Sequence, residues 1–306
     1  MLLLVSACTD EKQPETPPEV IIAVPAFEAD SAYAYIERQL AFGPRVPNTP
    51  AHAACAAWLG EHLAAAGAQV TVQQATVRAF DGSLLEMRNI IAAFQPDQPR
   101  RIMLTAHWDT RPFADEDSSR QGDPIPGAND GASGVAVLLE IARHLGVQPP
   151  QAGVDIILWD VEDYGKSDVD NSYCLGSQYW ARNKHRADYQ AMYAINLDMV
   201  GAEGAYYTRE GVSMQYASGV VEKVWSTARR LGHDAYFRSH RSDGLIDDHT
   251  YINLIAKIPA IDIIDRPEGA RFFPHWHTHR DDLASISRET LRATGETVMS
   301  VVYYEK

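Results

Sequence analysis

No apolar run in this chain approaches the roughly 20 residues that a membrane-crossing helix needs. Basic residues are in short supply: 27 Lys and Arg against 41 Asp and Glu leave a formal charge of -14. That balance argues against nucleic acid as a partner, because neutralising phosphates takes clustered Lys and Arg. Cysteine is scarce too, with three in 306 residues, which rules out a disulfide framework. Nothing in the spacing argues for a Cys55–Cys174 bridge, and Cys55 in its Ala-rich helical run reads as a buried, inert thiol. Internal repeats are absent. What the chain does have is 45% apolar content, enough to bury one substantial core. Nothing in the pattern fixes an oligomeric state.

The third cysteine stands apart. Met1-Leu2-Leu3-Leu4-Val5-Ser6-Ala7-Cys8 is a short apolar run ending in small residues, and polar Thr9-Asp10-Glu11-Lys12-Gln13 come next. The pattern resembles a bacterial lipobox, although the basic flank of a signal peptide is missing. It implies that residues 1–8 are a signal remnant and that lipid on Cys8 is the membrane attachment, placing the protein in the cell envelope or periplasm. A chance apolar terminus is the plainer alternative. Residues 9–28, Pro- and Glu-rich at their start, read as a solvated tether. No linker interrupts the chain beyond residue 28, so residues 29–306 read as a single domain.

Along that domain, Asp30 or Ser31 caps a helix to about Phe42, ended by Gly43-Pro44. Thr49-Pro50 opens a second, with a capping hydroxyl before proline at the first helical position. Gln69–Val77 and Met87–Phe94 alternate like strands and suggest an antiparallel edge pair. Ile102–Ala106 has the continuous apolar character of a strand buried on both faces. Helices near 131–145, 176–185, 218–231 and from Ser287 onward alternate with strands near 154–160, 192–198 and 260–265. The alternation predicts an α/β three-layer sandwich, its central sheet mixed but mostly parallel and flanked by helices.

Metal-ligand residue types stand at the ends of these elements. His107-Trp108-Asp109 leaves the strand at 102–106, and Asp130 precedes Gly131 where a helix begins. The pair Glu162-Asp163 follows Ile156-Ile157-Leu158-Trp159, and Asp198 follows Ile195-Asn196-Leu197. His277 lies in the aromatic run Phe272-Phe273-Pro274-His275-Trp276-His277-Thr278-His279. Taken singly each has a plainer reading: a loop histidine, a helix N-cap, a solvated acidic loop, a turn aspartate. Taken together, α/β sheets gather sites at strand carboxyl ends, so the segments can converge. Two His and three Asp with a spare Glu suit zinc chemistry, in which an unligated carboxylate moves protons. In a His-x-Asp turn the Asp orients the His ring. An extended run would put His275 and His279 on the face of His277, so side-chain direction does not separate the three.

In this order and spacing the motifs resemble the M28 family of zinc peptidases, and within it the type II glutaminyl cyclases, over roughly residues 30–306. The resemblance implies a central mixed sheet flanked by helices. It implies Asp130, Asp163 and His277 as zinc ligands and Glu162 as general base and acid. Dinuclear aminopeptidases of the family are similar in using the equivalents of His107 and Asp198 for a second zinc bridged by Asp130, whereas the cyclases hold one. Three features favour the cyclases: the turn Ala106-His107-Trp108-Asp109-Thr110-Arg111-Pro112, Trp276 immediately before His277, and Asp247-Asp248-His249. The resemblance then implies Asp198 and Asp247 as catalytic carboxylates, and Trp276 and Asp248 at the substrate. The partner would be a peptide or protein with N-terminal glutamine, and the zinc count one per chain, or two in an aminopeptidase. Asp163 stands where the animal cyclases have glutamate, one methylene longer.

Overall fold

A computed structural model describes residues 23–269 and 271–305. Cys8, the expected signal remnant and residues 9–22 of the expected tether lie outside the described residues. The alternating segments near 70–94 form the antiparallel strands β1 (Gln69–Arg78) and β2 (Leu84–Phe94). Four apolar runs form β3 (Arg101–His107), β4 (Gly153–Trp159), β5 (Tyr193–Asp198) and, later, β8 (Ala260–Ile264). Between β5 and β8 come β6 (Tyr207–Arg209) and β7 (Phe237–Arg241), a small parallel pair that sequence periodicity is too short to reveal. The six-stranded sheet runs β1-β2-β4-β3-β5-β8. Its antiparallel edge meets a parallel centre, β4-β3-β5-β8.

Period-two alternation divides the apolar residues of each central strand between two helical layers. Ile102, Leu104, Val154, Ile156, Leu158, Ile195, Leu197 and Ile261 face one layer. It consists of α1 (Ala29–Leu40), α2 (Pro50–Ala65), α3 (Ala132–Leu145), α5 (Gly211–Leu231) and α7 (Arg288–Tyr304). Met103, Ile157, Trp159, Ala194 and Ala260 face the other, with α4 (Leu175–Arg182) and α6 (Asp248–Tyr251), which continues into a π-helical turn at Ile252–Ala256. The three-layer mixed sandwich is thus the observed architecture.

Local chemistry accounts for most element ends. Thr49 accepts the amide of His52 at 3.2 Å, as its place before Pro50 anticipates. α1 begins earlier than expected, at Ala29, and Glu28 at its N-cap makes no side-chain cap bond. α5 begins near Gly211, well before residue 218. The buried Glu210 carboxylate accepts the amides of Val212 and Ser213, and an irregular residue, Ala217, breaks the helical pattern within the span. Both Cys55 and Cys174 are buried free thiols, so no bridge joins them.

The domain begins before residue 29. Phe27 is 5% exposed and lies against Gly295 of α7, where any side chain would strike its ring. The Glu28 amide donates to Glu140 at 3.1 Å. The last residues of the expected 9–28 tether are therefore part of the folded body, because an aromatic ring there finds a buried site that polar neighbours conceal in the sequence. Phe27→Ala should lower unfolding free energy by about 3 kcal/mol in denaturant melts. A loss below about 1 kcal/mol would place the start of the cooperative unit after residue 28.

Candidate active site

Neighbouring strands deliver the site from one edge of the sheet. β3 ends at His107, with Asp109 two residues on; β5 ends at Asp198; Glu162 and Asp163 follow the end of β4. Asp130 arrives from the loop before α3, Asp247 from the residue capping α6, and His277 from the aromatic run. Backbone strain accompanies three of them. Val161 (φ 54), Met199 (φ 50) and His277 (φ 55) are left-handed, a conformation costing on the order of 1–3 kcal/mol outside glycine. Left-handed Val161, β-branched, is the least comfortable of them, and it turns the chain so that Glu162 and Asp163 both face the site. The extended reading of residues 275–279 fails for the same reason: turns here separate His277 from His279, which instead pairs with Asp117 at 2.9 Å.

Two overlapping ligand groups result, Asp130–Asp163–His277 and His107–Asp130–Asp198, each with its ligand atoms within 4.8 Å of one another. His277 Nε2 lies 3.3 Å from Asp163 and 3.7 Å from Asp130; His107 Nε2 lies 3.1 Å from Asp130 and 3.3 Å from Asp198. Asp130 therefore presents one oxygen to each histidine. Its N-cap role is not taken up: the capping residue is Gly131, at φ 96, and a side chain there would strike the Asp109 carbonyl. Several of these atoms are buried without a hydrogen-bond partner, among them Asp163 Oδ2, Asp198 Oδ1 and His107 Nε2. Orphaned imidazole nitrogens and carboxylate oxygens converging at this range fit a divalent ion such as zinc. The field is strongly cation-favouring. Burial disfavours a charged His107, yet Asp109, Asp130 and Asp198 outweigh it and raise its pKa well above the ordinary value. Asp163 is buried as well, but His277 and Arg111 keep its pKa below normal.

Several supports of this centre are invisible to motif reading. Arg111 donates to the Asp163 carboxylate at 3.2 Å and grips Asp115 with two bonds of 2.7 and 2.6 Å. Asp115 in turn meets His277 Nδ1 at 3.1 Å, leaving Nε2 aimed at the ligand group. One guanidinium thus organises two candidate ligands. Asp281 receives the amides of Asn129 and Asp130 at 2.7 and 3.0 Å and fixes the third. Asp109 sits 3.6 Å from His107 but also accepts the amides of Glu162 and Asp163, tying the β3 and β4 turns together. Of these, Asp109 is legible as the second acid of the His-x-Asp turn and Arg111 stands in the same turn, whereas nothing in the sequence marks Asp115 or Asp281.

Glu162 stands beside the ligands. Burial, together with Asp163, Asp247 and Asp248, pushes its pKa well above normal against the opposing pull of His107. Its Oε1 accepts the thiol of Cys174 at 3.1 Å, and burial beside these carboxylates keeps that thiol protonated. Nothing in the polar segment around Cys174 marks it for this contact. Asp247 is placed by a polar ladder across the sheet: Thr105 donates to Asn196 at 2.6 Å, and Asn196 donates to Asp247 at 2.7 Å and to Asp262 at 3.2 Å. Asp248 does not reach the substrate side. It is fully buried behind Asp247 and absent from the cavity wall, because the first turn of α6 rotates it inward.

The cavity over this centre measures about 100 Å³. Asp130, Glu162, Asp163, Asp198, Asp247 and His277 form its polar side; Leu245, Ile246, Phe272 and Trp276 form the apolar one. Trp276 stacks on His277 with centroids 3.6 Å apart. His107 and Asp109 lie beneath the surface.

A parallel-centred α/β sandwich with paired His/Asp ligand groups and a free carboxylate at its strand ends has the architecture of a zinc exopeptidase. The family model described as Peptidase family M28 matches residues 89–302, and the chain belongs to that family. Among solved structures, Tannerella forsythia glutaminyl cyclase is 48% identical with a TM-score of 0.91, covering 92% of this chain and 100% of that one. Among curated proteins, the aminopeptidase YwaD of Bacillus subtilis is 28% identical over 71% of this chain. Glutaminyl-peptide cyclotransferase of Bos taurus is 26% identical over 66%. The chain spans 44% and 62% of the lengths of those two relatives.

Asp115→Asn should weaken zinc affinity roughly 10- to 100-fold while leaving the ligands in place, measured by competition with a chromophoric chelator. Unchanged affinity would mean that His277 needs no carboxylate to orient it.

Proposed function

We propose that this protein is a zinc-dependent glutaminyl cyclase, converting N-terminal glutamine of peptides to pyroglutamate with release of ammonia. The observation that carries the reading is the small cavity itself. It joins a metal-ligand group and a free Glu162 to an apolar wall ending in Trp276, on a scale suited to one side chain. Asp130, Asp163 and His277 would hold one zinc per chain, and the chemistry supplied there is Lewis acidity toward the γ-carboxamide carbonyl.

The residues of the chain then do the rest. The substrate's α-amine, with a pKa of about 7.7–8.0, must lose a proton as it attacks the γ-carbon. Glu162 takes that proton. Asp198 and Asp247, lining the same cavity, orient the amine. When the new C–N bond has formed, Glu162 returns the proton to the amide nitrogen, the old C–N bond breaks and ammonia leaves. Burial, which raises the Glu162 pKa, suits a group that must give its proton back as well as take it. Trp276 and Phe272 cover the glutamine methylenes and exclude water, which would otherwise divert the reaction to hydrolysis.

The second reading, a dinuclear aminopeptidase, is favoured by one observation: Asp130 stands between His107 and His277 as a bridging carboxylate would. Zinc stoichiometry with product analysis separates the two. One zinc with ammonia release from glutaminyl peptides supports the cyclase; two zincs with release of free N-terminal leucine would overturn it. Glu162→Gln should retain zinc and fold while lowering turnover roughly a hundredfold to ten-thousandfold. Near-normal turnover in that variant would transfer the proton role elsewhere, with Asp198 the first residue to test.

We also propose that Cys8 carries lipid and holds the enzyme in the bacterial cell envelope, on the strength of the apolar run that ends there. Mass spectrometry of the native N-terminus tests this, and an unmodified chain beginning at Met1 in the cytoplasm would refute it.

A further inference from the structure

A second depression of about 280 Å³ opens directly off the cavity, sharing with it Ser167, Tyr173, Leu245, Ile246, Arg271 and Phe272. The floor of the cavity is closed by the buried carboxylates Asp130, Asp163, Asp198 and Asp247, so a peptide anchored there by its first residue leaves past these shared residues. The groove has its own chemistry. Three of its lining residues are cations, Lys166, Arg266 and Arg271, against one anion, Asp170. In a chain of net charge -14 three cations lining one groove stand out, although Asp168 and Glu116 lie beside two of them.

Arg271 lies 4.5 Å over the Trp276 ring and donates to Ser167 at 3.2 Å, whereas among the described residues Lys166 and Arg266 have no such aromatic hold. Lys166 pairs with Asp168 at 3.1 Å and Arg271 with Glu116 at 3.5 Å, but all four side chains are at least half exposed, so a ligand carboxylate can exchange into either pair. Arg266 donates to the Asp243 carbonyl at 2.6 Å and has no carboxylate within salt-bridge range among the described residues. Val169 and Ile246, 40% and 62% exposed, give the groove an apolar lip.

We propose that this groove seats the two residues following the N-terminal glutamine and selects peptides that carry carboxylate side chains there. The inference rests on the cyclase reading for the identity of the first residue, and on the groove's own charge for the rest. Acidic side chains reach Arg266 and Lys166 while the backbone runs between Ile246 and Tyr173. A peptide with lysine at the same positions meets like charge.

The test uses the zinc-loaded Glu162→Gln protein, whose slowed turnover leaves time to measure binding, and calorimetry with the peptide amides Gln-Glu-Glu-Ala and Gln-Lys-Lys-Ala. The acidic peptide should bind roughly threefold to thirtyfold more tightly at low salt, the product of two exposed ion pairs. The preference should shrink as salt is raised to about 0.5 M. Adding Lys166→Gln and Arg266→Gln should bring the two affinities within about twofold; Lys166→Gln alone should remove part of the difference. Equal or undetectable binding of both peptides, or a preference that survives the double substitution, would overturn the proposal. Ammonia release by the unsubstituted enzyme is measured in parallel with the same peptides. Retention of the binding preference without ammonia release from either peptide would count against the cyclase reading and leave the groove standing.

Discussion

Negative charge packed out of reach of water is the constraint on which this structure turns. Asp130, Glu162, Asp163, Asp198, Asp247 and Asp262 are all buried within one region, where each carboxylate raises the cost of ionising the next. Burial and mutual repulsion raise the pKa of Asp198, Asp247 and Asp262. Such a cluster would hold protons in place of charge unless cations were supplied. The chain supplies some, through Arg111, His107 and His277, and leaves the remainder of the demand to a metal. Protons and metal therefore compete for the same site, a direct consequence of how much negative charge it concentrates.

Rigidity is the counterpart of that crowding. Carboxylates this close stay apart only if the backbone gives them no choice. After left-handed Val161 the Glu162 amide donates to Asp109, after left-handed Met199 the Val200 amide donates to Ser133, and Asp281 ties down the loop that carries Asp130. The same economy appears at Arg111, whose guanidinium serves a ligand, a ligand's orienting partner and two carbonyls at once. Its neighbour Asp115 has its pKa drawn down by His277 and Arg111 against the cost of burial, so it stays a carboxylate.

How much of this a sequence reveals depends on how local each cause is. His107, Asp163 and Asp198 could be singled out because each follows a hydrophobic run, Asp130 because a helix begins beside it, and His277 because of the aromatic segment that holds it, all of them signals read along the chain. The layers of the sandwich were legible for the same reason. Arg111–Asp115, Asp281 and Cys174 act through contacts that close only in three dimensions, the last across 12 residues and Asp281 across more than 150. Asp248 illustrates the reverse error. Adjacent acidic residues look equivalent in a row of letters, but the turn of α6 sends one to the cavity and the other into the interior. The early start of the domain at Phe27 and of α5 at Glu210 were hidden because single residues anchor them, with no periodic pattern to mark the place.

The polar ladder leading to Asp247 has a bearing on assembly of the molecule. Thr105, Asn196 and Asp262 come from three adjacent strands and face one another only because Thr105 pairs with Asn196 and Asn196 with Asp262 in register. A slip of one residue between any two strands would turn the donor to the opposite layer and leave Asp247 without its anchor. An intact site is thereby diagnostic of the sheet's register: a molecule that has compacted with a neighbouring pairing keeps its hydrophobic content but loses the placement of Asp247. Strand register and the position of Asp247 thus depend on the same three side chains.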